Sequence, residues 1–217
     1  MKQEIRCVHV WPGWLRLSHW LIGFGVLFEL FSAWAITHDN VDVAFWHDWH
    51  LIVGQVVLLA VLLRLGLLAW PGVTGWRALL PGRSHFHGAM QTLKFYVTLA
   101  RSPLPNWHSH NPFWAPVYLV MLLLVLGAVA SGLAYQSSWR PAGLSPVAVH
   151  AFCGLLLGWL AALHILAVFL HDWKGRGAHV SGMINGYRYF HIEPGERPAG
   201  GIEVQLTPAA RKDRPDD

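Results

Sequence analysis

The chain has 217 residues, of which 54% are hydrophobic and only 13% are charged. Soluble domains of this size usually carry about 25% charged residues, so the composition indicates a protein whose solvent is lipid. The pI is about 9.3, but the basic residues follow a membrane topology and form no basic groove, which argues against a nucleic-acid-binding protein.

Four apolar stretches are long enough to cross about 30 Å of hydrocarbon at about 1.5 Å per residue. They predict helices over about residues 14–36, 50–70, 113–135 and 147–170. A Trp-Pro-Gly run at 70–72 ends the second stretch, and Asn-Pro at 111–112 precedes the third, where proline suits a helix start. We therefore expect an all-α membrane protein, with a four-transmembrane-helix bundle in a domain spanning residues 1–192.

The first stretch has an alternative interpretation as a cleaved signal. Its Ala-Trp-Ala at 33–35 resembles a signal-peptidase site and follows a basic start. The apolar region is too long for a signal, however, and it contains His19 and Glu29. A retained first helix is the better prediction.

The distribution of positive charge predicts the orientation of the bundle. Fifteen of the sixteen Lys and Arg residues lie in the N-terminal segment, between Arg64 and Arg101, or from Lys174 onward, and only Arg140 lies elsewhere. By the positive-inside rule, both termini and the 71–112 loop are expected to be cytoplasmic. Within that loop we expect a surface helix around residues 86–100. The polar residues 193–217 are expected to form a mobile cytoplasmic tail.

Four of the fourteen histidines lie within the predicted spans, namely His19, His50, His150 and His164. An imidazole in hydrocarbon is costly unless it has a partner, so such residues are candidates for function. From the rise per residue, His19 and His164 lie about 8 and 9 Å inside the cytoplasmic face, and the other two lie near the outer face. His150 and His164 are separated by about 21 Å and about four turns, so both rings face the same way.

Two layers of two histidines are the arrangement that two stacked bis-histidine haems require. Haem iron accepts axial His, and the core of a four-helix bundle can house porphyrins. The chain has no C-x-x-C-H sequence, which excludes covalent c-type haem attachment. Glycines one or two turns from these histidines, at Gly23, Gly54, Gly154 and Gly158, would let a flat macrocycle approach the helices. Gly154 and Gly158 could equally mark a close helix contact.

Other histidines compete with these four. His47 and His171 share helical faces with His50 and His164 but are expected at or beyond the interface, where water satisfies an imidazole. The histidines outside the spans are expected to be solvated, namely His9, His38, His85, His87, His108, His110, His179 and His191. For His108 and His110 a quinone or metal site is a second interpretation.

Glu29 is the only carboxylate within the predicted spans. Three roles are open for it from the sequence. It could relay protons to a quinone, meet a haem propionate, or be protonated against a neighbouring helix.

Short motifs follow one another along the chain. They are Val-Trp at 10–11, Arg-Leu-Ser-His-Trp at 16–20, His50 with Gly54 and Arg64, His-Asn-Pro at 110–112, Leu-His-Ile at 163–165 and Met-Ile-Asn-Gly at 183–186. In order and spacing they resemble bacterial di-haem cytochrome b561 proteins and the b-type cytochrome subunits of membrane nickel–iron hydrogenases, over about residues 8–190. The resemblance implies two non-covalent haem b groups, one held by His19 with His164 and the other by His50 with His150.

Electron transfer between a membrane quinone and a periplasmic redox partner is the leading functional hypothesis. The partner would be a dehydrogenase or hydrogenase subunit or a soluble cytochrome, and a homodimer is also compatible with the sequence. A second hypothesis is a stand-alone oxidoreductase that passes electrons from a small molecule such as superoxide to quinone, with Arg140 attracting the anion. A third is histidine-based metal transport, which two layers about 21 Å apart on one helix do not favour.

Overall fold

The computed structural model describes residues 4–38, 42–80, 82–105, 107–138, 140, 143–174 and 179–192. In chain order its elements are strand β1 (Glu4–His9), helices α1 (Gly13–His38) and α2 (Val43–Leu68), two 3-10 turns (Gly72–Thr74 and Trp76–Leu79), helices α3 (Arg83–Val97), α4 (Trp114–Leu133), α5 (Pro146–Lys174) and α6 (His179–Asn185), and strand β2 (Tyr187–Ile192). The predicted tail at 193–217 lies outside the described residues.

Helices α1, α2, α4 and α5 are each long and apolar enough to cross a membrane. This confirms the predicted fold class of a helical protein with four membrane-spanning helices. The cytoplasmic location of both termini stays a prediction.

Two of these helices differ from their predicted bounds by four residues or more at one end. Helix α2 begins at Val43, seven residues before the predicted start, because Phe45 and Trp46 continue the apolar pattern ahead of polar His47 and Asp48. Helix α5 continues to Lys174, past its predicted end at Leu170. His50 therefore lies two turns inside its helix instead of at the helix start.

The bundle consists of two helix pairs, α1 with α2 and α4 with α5. Gly25 lies where α1 meets α2 most closely, since a Cβ added there would collide with Val57. The two pairs meet at a buried apolar core formed by Val57, Val61, Val125 and Leu157. Leu157 lies midway along α5 between His150 and His164, so this core separates the two predicted histidine layers.

Strands β1 and β2 form an antiparallel sheet that the sequence analysis did not predict. Glu4 lies opposite Ile192, and His9 lies opposite Tyr187. The backbone N–H groups of Val10 and Trp11 donate to the carbonyl of Gly186 at 2.9 and 3.1 Å, which connects the sheet to the start of α1. The first and last described segments are thus joined.

Helix α3 and the loop after it cover the same end of the bundle. Thr92 and Phe95 are fully buried against the bundle, whereas Phe86, Met90 and Val97 are exposed. An apolar face pointing away from the bundle is typical of a helix at a membrane surface. The helix ends at Val97, three residues before the predicted end, because Leu99 and Ala100 adopt left-handed backbone angles with φ of 51° and 61°.

Candidate metal centres

Two pairs of histidines meet across the bundle. The ring centroids of His19 and His164 are 6.2 Å apart, and those of His50 and His150 are 5.9 Å apart. An imidazole nitrogen binds a metal ion at about 2.0–2.1 Å and lies about 1.1 Å from its own ring centre, so two imidazoles on opposite sides of one ion have centroids about 6.2–6.4 Å apart. The His19/His164 pair has this separation, and the His50/His150 pair is slightly closer. Their role as iron ligands stays a prediction.

The Nδ1 atom of His50 has two partners, both on α1. It lies 2.7 Å from Oε2 of Glu29 and 2.8 Å from Oγ of Ser32. The Ser32 hydroxyl donates to the backbone carbonyl of Glu29 at 3.1 Å, so its oxygen is left to accept. An ionised carboxylate also only accepts. With Glu29 ionised and the Ser32 hydroxyl donating to that carbonyl, the proton of His50 lies on Nδ1, and Nε2 keeps a lone pair for a metal.

His150 also carries its proton on Nδ1, because that nitrogen is held by the backbone of α4. Its Nδ1 donates to the carbonyl of Ala128 at 2.9 Å, and a carbonyl can only accept. A Cβ added at Gly132 would lie 3.2 Å from Cε1 of His150, so glycine admits the ring against α4. Ser32, Ala128 and Gly132 could not be found from the sequence, because their contacts depend on how the helices pack.

The His19 and His164 rings have different surroundings. Among the residues that the structure describes, neither buried Nδ1 atom has a hydrogen-bond partner. The centroid of Trp20 lies 5.2 Å from that of His19, and Trp114 and Tyr118 lie 5.9 and 5.7 Å from His164. The His19/His164 pair is therefore surrounded by aromatic side chains, whereas the His50/His150 pair has polar neighbours.

The glycines divide into two groups. A Cβ added at Gly23 or Gly154 would meet no protein atom within 4 Å, so the space beside both glycines is open. At Gly158 the added Cβ would lie 3.7 Å from Leu30, and at Gly54 it would lie 3.9 Å from Oε1 of Glu29. Gly158 thus serves as a helix contact, and Gly54 faces the carboxylate. A haem-facing role for Gly23, Gly54 and Gly154 stays a prediction.

The prediction that His171 is solvated is wrong. The residue is only 4% exposed, because α3 covers the end of α5. Trp114 donates its indole N–H to the Tyr96 hydroxyl at 2.7 Å, and that hydroxyl is hydrogen-bonded to Nε2 of His171 at 2.6 Å. Burial raises the pKa of Tyr96 to about 12, so the hydroxyl remains protonated.

His110 is partly buried, whereas the prediction placed it in water. Its Nδ1 is buried and has no hydrogen-bond partner among the described residues. Its ring lies 5.0 Å from Trp11 and 6.0 Å from Tyr118. Burial, and then the charge of Arg64, lower the pKa of His110 to about 4, so the ring is neutral at physiological pH.

The exposed histidines agree with the prediction. His47 is exposed on α2, as are the four others outside the spans whose side chains the structure describes and which were expected to meet water, namely His9, His38, His87 and His108. The side chains of His85, His179 and His191 lie outside the description.

A buried arginine closes the bundle at the His19/His164 end. Nη1 of Arg188 donates to the carbonyls of Trp107, His108 and Ser109 at 2.8, 3.2 and 3.3 Å. Burial lowers the pKa of Arg188 to about 10, which still leaves the guanidinium charged at neutral pH. Residues 107–109 are thereby held against β2.

The predicted motifs at 16–20 and 183–186 contact each other. Arg16 donates from Nη1 to the carbonyl of Ile184, and Trp20 donates from its indole to the carbonyl of Met183 at 2.8 Å. The end of α6 is thus held beside His19 on α1.

Four membrane-spanning helices with paired histidines between them are typical of a membrane b-type cytochrome. The family model of prokaryotic cytochrome b561 matches residues 10–186, and the chain belongs to this family. It is therefore a multi-pass bacterial membrane protein of a family that binds b-type haem and transfers electrons. Searches of curated proteins and of solved structures found no match.

Proposed function

We propose that this protein carries electrons across the bacterial cytoplasmic membrane between a quinone and a redox partner on the outer side, using two haem b groups. The observation that supports this most is the pair of histidine centres, each with the ring separation suited to one iron. A bis-histidine haem supplies a one-electron couple without an open position for oxygen. The apolar core around Val57 and Leu157 lies between the two levels.

Quinone is proposed to react at the His19/His164 end, beside His110. A buried polar atom without a partner normally has one in the working protein, and the Nδ1 of His110 is such an atom. Tyr118 contacts both the His110 ring and the His164 ring, with centroids at 6.0 and 5.7 Å. A neutral imidazole can exchange a hydrogen bond or a proton with a quinone oxygen. His108 is less suited, since it is exposed and stacks on Phe190 at 5.8 Å.

The other hypotheses have less support. Arg140, which would attract an anion in the stand-alone oxidoreductase, is exposed and donates to the carbonyl of Ser137 at 2.8 Å. For metal transport, no group of three or more His, Cys, Asp or Glu side chains within the described ranges is placed to hold an ion. Activity of the purified protein with superoxide and quinone alone would favour the stand-alone enzyme.

Haem content tests the proposal directly. We expect about two haem b per chain in a pyridine haemochrome assay of the detergent-purified protein, and fewer in His150→Ala. His47→Ala is the matched control, because His47 is exposed one turn from His50, and it should keep both haems. A wild-type protein without haem would overturn the proposal, and one haem per chain would overturn the two-centre arrangement.

The quinone site is tested with the same preparations. His110→Ala should keep both haems but lose most of the haem reduction by a short-chain quinol, whereas His108→Ala should react like the wild type. Equal rates in all three proteins would remove His110 from the quinone site.

A further inference from the structure

The two histidine centres differ in the hydrogen-bond partners of their Nδ1 atoms. At the His50/His150 centre, Glu29 and Ser32 accept from one ring and the Ala128 carbonyl accepts from the other. At the His19/His164 centre neither Nδ1 has a partner among the described residues. One centre is thus surrounded by hydrogen-bond acceptors, one of them a carboxylate, and the other is surrounded by aromatic rings.

The contact between Glu29 and His50 has few competitors. The side chains of both residues are only about one-fifth exposed, at 19% and 20%. Oε1 of Glu29 is buried and has no partner within the part of the chain that the structure describes, and Gly54 places no side chain beside it. The ring of His50 is therefore the main polar partner of this carboxylate.

A carboxylate that accepts from the second ring nitrogen changes a metal-bound histidine in two ways. It fixes the tautomer and orientation of the ring, and it makes the other nitrogen a stronger electron donor. Stronger donation and nearby negative charge stabilise the oxidised form of an iron centre more than the reduced form. Such a contact therefore lowers the midpoint potential of the centre that it touches.

We propose that Glu29 is a positioning residue that holds His50 through its Nδ1–H and lowers the midpoint potential of the His50/His150 centre below that of the His19/His164 centre. This inference rests on the proposed function, since it requires a haem at each centre. Electrons then pass downhill from the His50/His150 centre to the His19/His164 centre. Two such one-electron transfers from a redox partner, with two protons from water, reduce one quinone to quinol beside His110.

The test is a spectroscopic redox titration of the two-haem protein and its Glu29→Gln variant. Glutamine still accepts a hydrogen bond but carries no charge, so we expect one midpoint potential to rise and the other to stay unchanged, with two haems retained. Asp48→Asn is the matched control, because it removes an exposed carboxylate from the same end of α2. It should move neither potential appreciably. Unchanged potentials in Glu29→Gln, or equal shifts of both, would overturn the inference.

The centre that responds is assigned with His150→Ala, which leaves only the His19/His164 haem. In that background Glu29→Gln should have no effect on the remaining potential, which should be the higher of the two wild-type values. Glu29→Asp, whose carboxylate is one methylene shorter, should give a smaller rise and serves in place of Glu29→Gln if that variant does not fold. Absence of haem from the wild type would count against the proposed function, whereas two haems that do not respond to Glu29 would contradict this inference alone.

Discussion

His50 and His150 each present one ring nitrogen to a protein acceptor, and these contacts determine which nitrogen is left for a ligand. The acceptors are a carboxylate, a hydroxyl and a backbone carbonyl. Imidazole rings rotate easily when nothing holds them, so a ring with a fixed tautomer is better prepared to bind a metal. At the scale of single residues, the His50/His150 centre is therefore the more preorganised of the two.

Gly132 offers a test of this preorganisation. The Cβ in Gly132→Ala would lie 3.2 Å from Cε1 and 3.3 Å from Nδ1 of His150, so the ring must shift and its bond to Ala128 weakens. Loss of such a supporting contact typically lowers metal affinity by about 10–100-fold. We expect reduced haem content at this centre, measured by haemochrome assay after dialysis against a haem-binding protein.

Gly66→Ala is the control for that measurement. It also adds a methyl group to a membrane-spanning helix, but no protein atom lies within 4 Å of the added Cβ. Equal haem retention in the two variants would contradict the role assigned to Gly132.

The pairing of the four histidines could be predicted from the sequence, although their role as ligands is still to be tested. Depth and phase along a straight helix follow from the spacing of residues, and they suffice to place His19 near His164 and His50 near His150. The partners of Nδ1 could not be predicted, because they depend on how α1 is rotated against α2. The burial of His171 depends in the same way on the packing of α3.

Among the secondary-structure elements, the four long helices could be predicted because lipid requires long apolar segments. The start of α2 and the end of α5 could not be predicted, because residues such as Trp46 and Trp173 are stable both in a helix and at a membrane interface. Strands β1 and β2 were missed because they are short and far apart in sequence. Their alternating pattern, with Tyr187 and Tyr189 on one side, indicates strands only once the two segments are seen to pair.

The turn between α6 and β2 makes a prediction about this sheet. Gly186 has a φ of +92°, and an added Cβ would lie 2.9 Å from Nε2 of His9 and 3.0 Å from the carbonyl of Trp11. We expect Gly186→Ala to lower the free energy of unfolding by roughly 1–3 kcal/mol, measured as a lower melting temperature in detergent. Gly143→Ala shares the positive φ, at +78°, but meets no atom within 4 Å. Gly143→Ala should lower the free energy of unfolding less than Gly186→Ala does. An equal decrease in both variants would mean that backbone strain alone accounts for the effect.

On the scale of the whole molecule, the bundle is two helix pairs joined through a small apolar core. The same chain leaves open space beside Gly23 and Gly154. A cofactor that contacts both pairs would stabilise their association, because any ligand that binds only the folded state stabilises that state. Fold stability and cofactor binding are therefore expected to be linked.

Removal of haem tests this link. The haem-free protein, expressed without a haem precursor, should melt at a lower temperature than the haem-bound protein in the same detergent, and added haem should restore the difference. At a haem concentration 100 times the dissociation constant the expected stabilisation is about 2.7 kcal/mol per site. Identical melting curves for the haem-free and haem-bound proteins would show that haem adds nothing to the stability of the bundle.

The contacts of α1 with the end of α6 also have a consequence for biogenesis. The contacts that hold residues 183–186 beside His19 can form only after the ribosome has synthesised more than 160 further residues. At about 5–20 residues per second, α1 waits in the membrane for roughly 8–33 s before this end of the protein can close. If His19 binds haem as proposed, a haem that arrives during synthesis has no second histidine ligand until His164 has been made, and the end of α6 then completes the surroundings of that centre.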